Sequence, residues 1–171
     1  MTELPPPTVE TADDGTTTAY WDVPVAGDRV ERLLSELFGE HWETLTVGPI
    51  IEGAAYEIRF AAPPRLTMLD GYLTVDTGRW HFHLCVNDHR GTRSAELARI
   101  RRVAHAAFFR VENGTCLPVS WGLRLWNGRG EQMITVLFPN PFFDEATERR
   151  TEPHWEKTAL WEDCRRRYAA L

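Results

Sequence analysis

The sequence has few cysteines and no long apolar run. Only three cysteines occur among 171 residues, and their spacing follows no regular pattern. An odd number of irregularly spaced cysteines favours reduced thiols inside a cell. No apolar run approaches the roughly 20 residues that a membrane span requires, and the first residues lack the basic and apolar regions of a signal peptide. We therefore expect a cytoplasmic protein that does not insert into a membrane.

The sequence also lacks an excess of basic residues and the common nucleotide-binding motifs. Its formal net charge is -6, whereas binding to nucleic acid requires a basic surface. The Gly-x-Gly-x-x-Gly pattern, the phosphate-binding loop and the Gly-x-Ser-x-Gly elbow are all absent from the sequence. These absences argue against nucleic-acid binding, nucleotide-dependent chemistry and serine hydrolysis.

Length and composition predict one globular domain after a short tail. The chain has 43% hydrophobic and 26% charged residues, which is the usual range for globular proteins, and its length suits one domain. Residues 1–18 combine prolines with polar residues and contain almost nothing apolar, which predicts a disordered N-terminal tail. We assign residues 19–171 to a single α+β domain.

Apolar residues at helical spacing predict three helices. The first stripe runs from Val30 to Phe38, the second from Leu97 to Val111 behind the capping residue Ser94, and the third from Leu160 to Leu171. On the second helix, Arg101 and His105 are one turn apart and are expected at the helix surface, although they could also edge a pocket.

Alternation of apolar and polar residues predicts the strands. It occurs in residues 56–60, 72–76, 80–86, 119–126 and 132–138. Turn residues at 76–78 and 127–130 join successive strands as hairpins. Runs of strands interrupted by single helices predict an α+β fold with a mostly antiparallel sheet of about five to six strands and with helices packed on one face.

One strand carries an unusual row of metal-ligating side chains. In residues 80–86 the alternation places His81, His83 and Cys85 on one face and apolar residues on the other. Imidazole and thiolate are good ligands for zinc, iron and copper. The sequence therefore predicts a divalent metal site, zinc or iron, on the polar face of the sheet, with Cys85 or Glu131 as the third ligand.

Two functional hypotheses follow from this polar face. In the first, the protein is a small metal-binding protein; if it is an enzyme, it acts on a small acidic molecule, with Arg124 holding the substrate and Glu131 as an alternative general base. In the second, Arg59, Arg124 and the histidines bind a small organic anion or a partner protein without a metal. A polar face without any function is also common, because antiparallel sheets often leave one face open to water. The sequence indicates neither the reaction nor the oligomeric state.

Overall fold

The computed structural model describes residues 5–51, 53–113 and 118–169. Its strands are β1 (Thr8–Thr11), β2 (Thr17–Asp22), β3 (Thr46–Gly48), β4 (Ile50–Ile51), β5 (Ala54–Ala55), β6 (Ile58–Arg59), β7 (Arg65–Leu69), β8 (Tyr72–Asp76), β9 (His81–Cys85), β10 (Val103–Glu112), β11 (Pro118–Asn127) and β12 (Gln132–Leu137). Its α-helices are α1 (Arg29–Glu40), α2 (Ala95–Arg101) and α3 (Ala159–Tyr168). Cys116 and the predicted helix end at Leu171 lie outside the described residues.

The α+β class with an antiparallel sheet is confirmed, but the strands are distributed over three sheets. Seven strands form the large sheet in the order β1-β2-β10-β11-β12-β3-β6, and every neighbouring pair is antiparallel. Strands β7, β8 and β9 form a second, three-stranded sheet, and β4 pairs with β5 in a two-stranded ribbon. Residues that the sequence places on one polar face therefore belong to different sheets.

One hydrophobic core joins the large sheet, helices α1 and α3 and the three-stranded sheet. Helix α1 contributes the predicted stripe, from Val30 to Phe38, whose members are at most 3% exposed. Leu123 on β11, Leu84 on β9 and Trp161 on α3 belong to the same cluster. The face of the large sheet that meets this core is called the inner face below, and the opposite one the outer face.

The second predicted helix is wrong beyond its first two turns. Ser94 does cap helix α2, because its Oγ accepts a hydrogen bond from the backbone N–H of Leu97 at 3.2 Å. The helix ends at Arg101, and strand β10 follows from Val103 to Glu112. This strand lies between β2 and β11 and is buried on both faces over residues 106–109. A strand buried on both faces has no polar alternation, so its apolar residues can be read at helical spacing.

The predicted disordered tail, residues 1–18, contains regular structure from residue 8 onward. Strands β1 and β2 form an antiparallel hairpin that extends the large sheet at one edge. Its turn contains Gly15 at φ 81°, and the Asp14 carboxylate accepts a hydrogen bond from the N–H of Thr16. All four residues of β1 are exposed, so backbone hydrogen bonds hold this strand rather than apolar burial. A prediction based on apolar content misses such a strand.

Within residues 5–51, 53–113 and 118–169, none of the helices has the length and apolar character of a membrane span.

Candidate functional site

The two histidines of β9 lie side by side on the exposed face of the three-stranded sheet. The ring centroids of His81 and His83 are 5.1 Å apart, and the rings meet edge to face at 66°. Nδ1 of His83 is 2.7 Å from the hydroxyl oxygen of Thr74 on the neighbouring strand. Both histidines are exposed, as the alternation predicts, while Leu84 between His83 and Cys85 is buried in the core.

Cys85 does not join the histidines at the surface. This residue is 2% exposed, and its thiol donates a hydrogen bond to the carbonyl oxygen of Asn87 at 3.3 Å. Burial raises the pKa of this thiol, so the thiolate that metals prefer is disfavoured. The structure thus gives no support to Cys85 as a ligand in this site.

Arg124 and Glu131 lie on the large sheet, away from the strand with the two histidines. Glu131 lies in the turn between β11 and β12, where its carboxylate accepts a hydrogen bond from the Asn127 side-chain amide at 2.8 Å. Arg124 lies within β11 on the outer face. Among the described residues, no group of three or more His, Cys, Asp or Glu side chains is arranged to hold a metal ion. The predicted metal ligands and the predicted substrate residues are therefore not brought together.

The outer face of the large sheet carries a different cluster, which we call the outer-face cluster. Cross-strand register places Arg124 opposite Ala107 and Thr135, and Tyr20 opposite Phe109. These pairs share a face because residues opposite each other in antiparallel strands point the same way. The cluster consists of Tyr20, Asp22, His105, Phe109, Arg124, Trp126, Gln132 and Thr135.

Arg124 is the centre of this cluster and has only neutral partners. Its Nη1 donates to the Tyr20 hydroxyl at 3.0 Å, and its Nε donates to the Thr135 hydroxyl at 3.4 Å. Its guanidinium carbon lies 4.7 Å from the centre of the Phe109 ring. The ion pairs found among the described residues do not include Arg124. The positive charge of a half-buried guanidinium is thus not neutralised by a carboxylate of the described chain.

Gly122 makes room for the Phe109 ring, which lies under the Arg124 guanidinium. Phe109 is 1% exposed, and a Cβ added at Gly122, its cross-strand partner, would lie 2.4 Å from two atoms of the Phe109 ring. The missing side chain therefore lets the ring pack directly against the backbone of β11 at Gly122. Phe109 supports the Arg124 guanidinium from below as a cation–π partner.

Aromatic rings and an Asp–His pair border Arg124 on one side. The His105 ring stacks on Trp126 with centroids 4.4 Å apart and an angle of 18° between the planes. Nε2 of His105 is 2.9 Å from an Asp22 carboxylate oxygen, and the Tyr20 ring packs against Trp126 at 6.0 Å. Burial raises the pKa of Tyr20 above its ordinary value, so this phenol stays protonated at neutral pH.

The chain after β3 borders Arg124 on the other side. Gly48 pairs with Thr135, and a Cβ added at Gly48 would lie 1.6 Å from the carbonyl oxygen of Tyr56. The backbone near Tyr56 therefore crosses close over the outer face beside Thr135, whose side chain is fully buried. Thr135 also accepts a hydrogen bond from the Gln132 amide at 2.8 Å. Arg124 thus lies between this segment and the aromatic group.

The alternation in β11 correctly placed Arg124 opposite the core, but the sequence analysis put it on one face with the histidines of β9, which belong to another sheet, and missed most of its neighbours. His105 was expected on a helix, and Tyr20 and Trp126 were not assigned to a site. Arg59 also lies on the outer face, because Thr46 pairs with both Arg59 and Leu137. The alternation around Arg124 could have indicated Trp126, which lies two residues along the same strand and therefore on the same face. The contribution of β2 and β10 depends on strand pairing over long sequence distances.

Solved structures share this fold at low sequence identity. ChuX matches with a TM-score of 0.52 and 12% identity over 89% of this chain and 78% of ChuX. A protein from Agrobacterium tumefaciens matches with a TM-score of 0.55 and 15% identity over 92% of this chain and 73% of its own. PhuS, described as a heme-binding protein from Pseudomonas aeruginosa, matches with a TM-score of 0.52 and 17% identity over 89% of this chain and 35% of PhuS. At these identities the comparisons establish a common fold.

Sequence comparison identifies the family of this chain. No curated protein sequence matches it significantly. The family model described as a family of unknown function, DUF7676, matches residues 7–170. That match covers nearly the whole sequence, so the chain belongs to the DUF7676 family.

Proposed function

We propose that this protein binds a planar small molecule that carries a carboxylate, on the outer face of the large sheet. The observation that carries this proposal is Arg124, a half-buried guanidinium whose partners in the described chain are neutral. A cation removed from water without a counter-charge is costly, and a bound anion relieves that cost. Anion binding through Arg124 is the part of the sequence-based hypotheses that this geometry supports.

The free hydrogen-bond donors of Arg124 favour an end-on contact with a carboxylate. A guanidinium has five N–H donors, of which one on Nε and one on Nη1 are used within the protein. The remaining three donors lie on the two terminal nitrogens. Two parallel hydrogen bonds from those nitrogens suit the two oxygens of a carboxylate.

The aromatic rings beside Arg124 favour a flat ligand. Trp126, Tyr20 and His105 are all partly accessible at the outer face, and aromatic faces pack well against planar ligands. PhuS, which shares the fold, is described as a heme-binding protein, so tetrapyrroles are the first ligand class to test. The residues of the cluster could hold a heme: Arg124 would bind a propionate, and His105, which contacts Asp22, is the imidazole that would serve as a ligand to the iron. Bound heme would supply an iron centre capable of redox chemistry.

The metalloenzyme hypothesis for His81, His83 and Glu131 is not part of this proposal. Glu131 lies in a turn and pairs with Asn127, which gives no reason to assign it a role as a general base. A cytoplasmic location and the absence of nucleic-acid binding stay predictions from the sequence.

Titration with porphyrins tests the proposal. The untagged protein is titrated with metal-free protoporphyrin IX, with iron protoporphyrin IX and with protoporphyrin dimethyl ester, which lacks free carboxylates, and binding is followed by porphyrin absorbance and tryptophan fluorescence. We expect saturable binding of the two acids at one site and weaker binding of the ester.

Two arginine variants localise the binding site. Loss of a charge-assisted hydrogen bond costs about 1.5–3 kcal/mol, so Arg124→Ala should weaken binding of the acids about 10- to 100-fold. Arg129→Ala, in the exposed turn between β11 and β12, is the matched control and should bind as the native protein does. Equal affinity of Arg124→Ala and the native protein would refute the proposal.

A further inference from the structure

We propose that His81 and His83 form a two-imidazole site for one divalent transition-metal ion, separate from the outer-face cluster. The two side chains lie on the exposed face of β9, two residues apart, and their ring centroids are 5.1 Å apart. Residues two positions apart on one strand are about 6.5–7 Å apart at the backbone and point to the same face. The imidazoles are therefore close enough to share one ion at the usual nitrogen–metal distance of about 2 Å.

Thr74 holds one of the two imidazoles in place. The Thr74 hydroxyl contacts Nδ1 of His83 at 2.7 Å across the β8–β9 pair. This contact leaves Nε2 of His83 available for an ion. A hydrogen bond to the second ring nitrogen commonly orients a metal-ligating histidine. Thr74 thus acts as a positioning residue for this site.

The acidic and thiol groups around the histidines have partners of their own, and none completes a three-ligand group among the described residues. Asp76 lies opposite His81, but one of its carboxylate oxygens accepts from Arg65 at 2.8 Å and the other accepts from the N–H of Gly78 at 2.8 Å. Cys85, next in the same row, is buried and donates to Asn87. An ion at this site would therefore have two protein nitrogens and would complete its coordination with water.

The donor set determines which ions are expected to bind. Two neutral imidazoles with open positions suit copper, nickel and zinc, and the affinity for such nitrogen sites is highest for Cu²⁺. Magnesium and calcium prefer oxygen ligands and should not compete. The site differs from the one expected from the sequence, since Cys85 and Glu131 have no part in it.

Calorimetric titration of the untagged protein with copper sulfate tests the proposal. We expect one Cu²⁺ ion per chain and a nitrogen-coordinated signal in electron paramagnetic resonance. His81→Ala and His83→Ala should each lower the affinity about tenfold or more, and Thr74→Val about tenfold, which is the lower end of the usual range for groups that orient a metal ligand. Excess Mg²⁺ should leave the titration unchanged.

Histidine variants elsewhere provide the control. His41→Ala and His154→Ala remove exposed or half-exposed imidazoles outside the three-stranded sheet and should leave Cu²⁺ affinity as in the native protein. Far-ultraviolet circular dichroism verifies that each variant is folded. If the folded variants His81→Ala and His83→Ala bind Cu²⁺ as tightly as the native protein, or if the nitrogen signal persists in the double variant, the site does not exist. Porphyrin binding at Arg124 is measured separately, so either proposal can fail alone.

Discussion

The guanidinium of Arg124 lies over the ring of Phe109, with 4.7 Å between the guanidinium carbon and the ring centre. Phe109 can lie there only because Gly122 opposite it has no side chain. Phe109, a buried aromatic residue on the outer face, thus supports Arg124, the cation on which the proposed binding site depends.

Gly122→Ala should disturb this support. The added methyl group would lie 2.4 Å from the Phe109 ring and 2.9 Å from the carbonyl oxygen of Val136, and such overpacking costs about 1–3 kcal/mol. Urea unfolding should show that loss, together with weaker porphyrin binding. Gly39→Ala is the control. Gly39 lies inside helix α1, and its added Cβ would make an ordinary contact of 3.7 Å with the Leu66 side chain. It should be stabilising by about 0.5–1 kcal/mol, and equal effects of the two changes would contradict the prediction.

Leu84→Ala and His83→Ala should differ sharply in their effect on stability. Leu84 is 4% exposed and belongs to the core, so its truncation should cost about 2–5 kcal/mol. His83 is exposed, and in the presence of a chelator its replacement should change stability by no more than about 0.5 kcal/mol. Two urea titrations with a chelator measure both values. A loss for His83→Ala as large as that for Leu84→Ala would show that the histidine has a structural role.

Glu36 should make stability depend on acidic pH. Its carboxylate accepts hydrogen bonds from Arg167 and, at 2.6 Å, from the Tyr168 hydroxyl, which holds its pKa below the ordinary value for Glu. The stabilisation is therefore present above the unfolded pKa and is lost as the pH falls through the folded pKa. At neutral pH, Glu36→Gln should cost about 1.5–3 kcal/mol. Its unfolding free energy should then fall less than that of the native protein between pH 7 and pH 3.

Glu40→Gln is the matched control for this experiment. Glu40 is on the same helix and is exposed, so its replacement should leave both the neutral stability and the acid dependence close to those of the native protein. An acid dependence that is the same in Glu36→Gln as in the native protein would assign the effect to other carboxyls.

Cys85 and Cys164 should resist alkylation in the folded protein. Both are at most 2% exposed, and burial raises the pKa of Cys164 to about 12 and also raises that of Cys85. The thiolate is the reactive form, so iodoacetamide at pH 8 should modify both residues only in concentrated urea. Peptide mass spectrometry measures the extent of labelling at each position. Rapid labelling of Cys85 in the folded protein would contradict this prediction. It would show that the thiol is accessible and could bind a metal ion beside His83.

The parts of this protein that could be predicted are those set by neighbours along the chain. The helical stripe from Val30 to Phe38 became the buried face of α1, and the alternation in β9 placed His81 and His83 on the face opposite the buried Leu84. The same alternation placed Arg124 on a polar face. Each of these properties follows from a period of 3.6 or 2 residues, which the side chains of a single segment display.

Strand β10 shows where local pattern stops being sufficient. Its apolar residues were read as a helix, since a strand buried on both faces lacks alternation. The error moved His105 from the outer face to a helix surface and hid its pairing with Asp22, which is 83 positions away in the chain.

The composition of the outer-face cluster depends on strand order, and strand order is a long-range property. Tyr20, Phe109 and Arg124 become neighbours because β10 pairs with both β2 and β11. Alternation tells which way a side chain points from its own strand, but not which strands lie beside it. Strand order depends on how all the strands and helices together bury their apolar faces. In this fold it places His81 and His83 of β9 in a different sheet from Arg124 of β11.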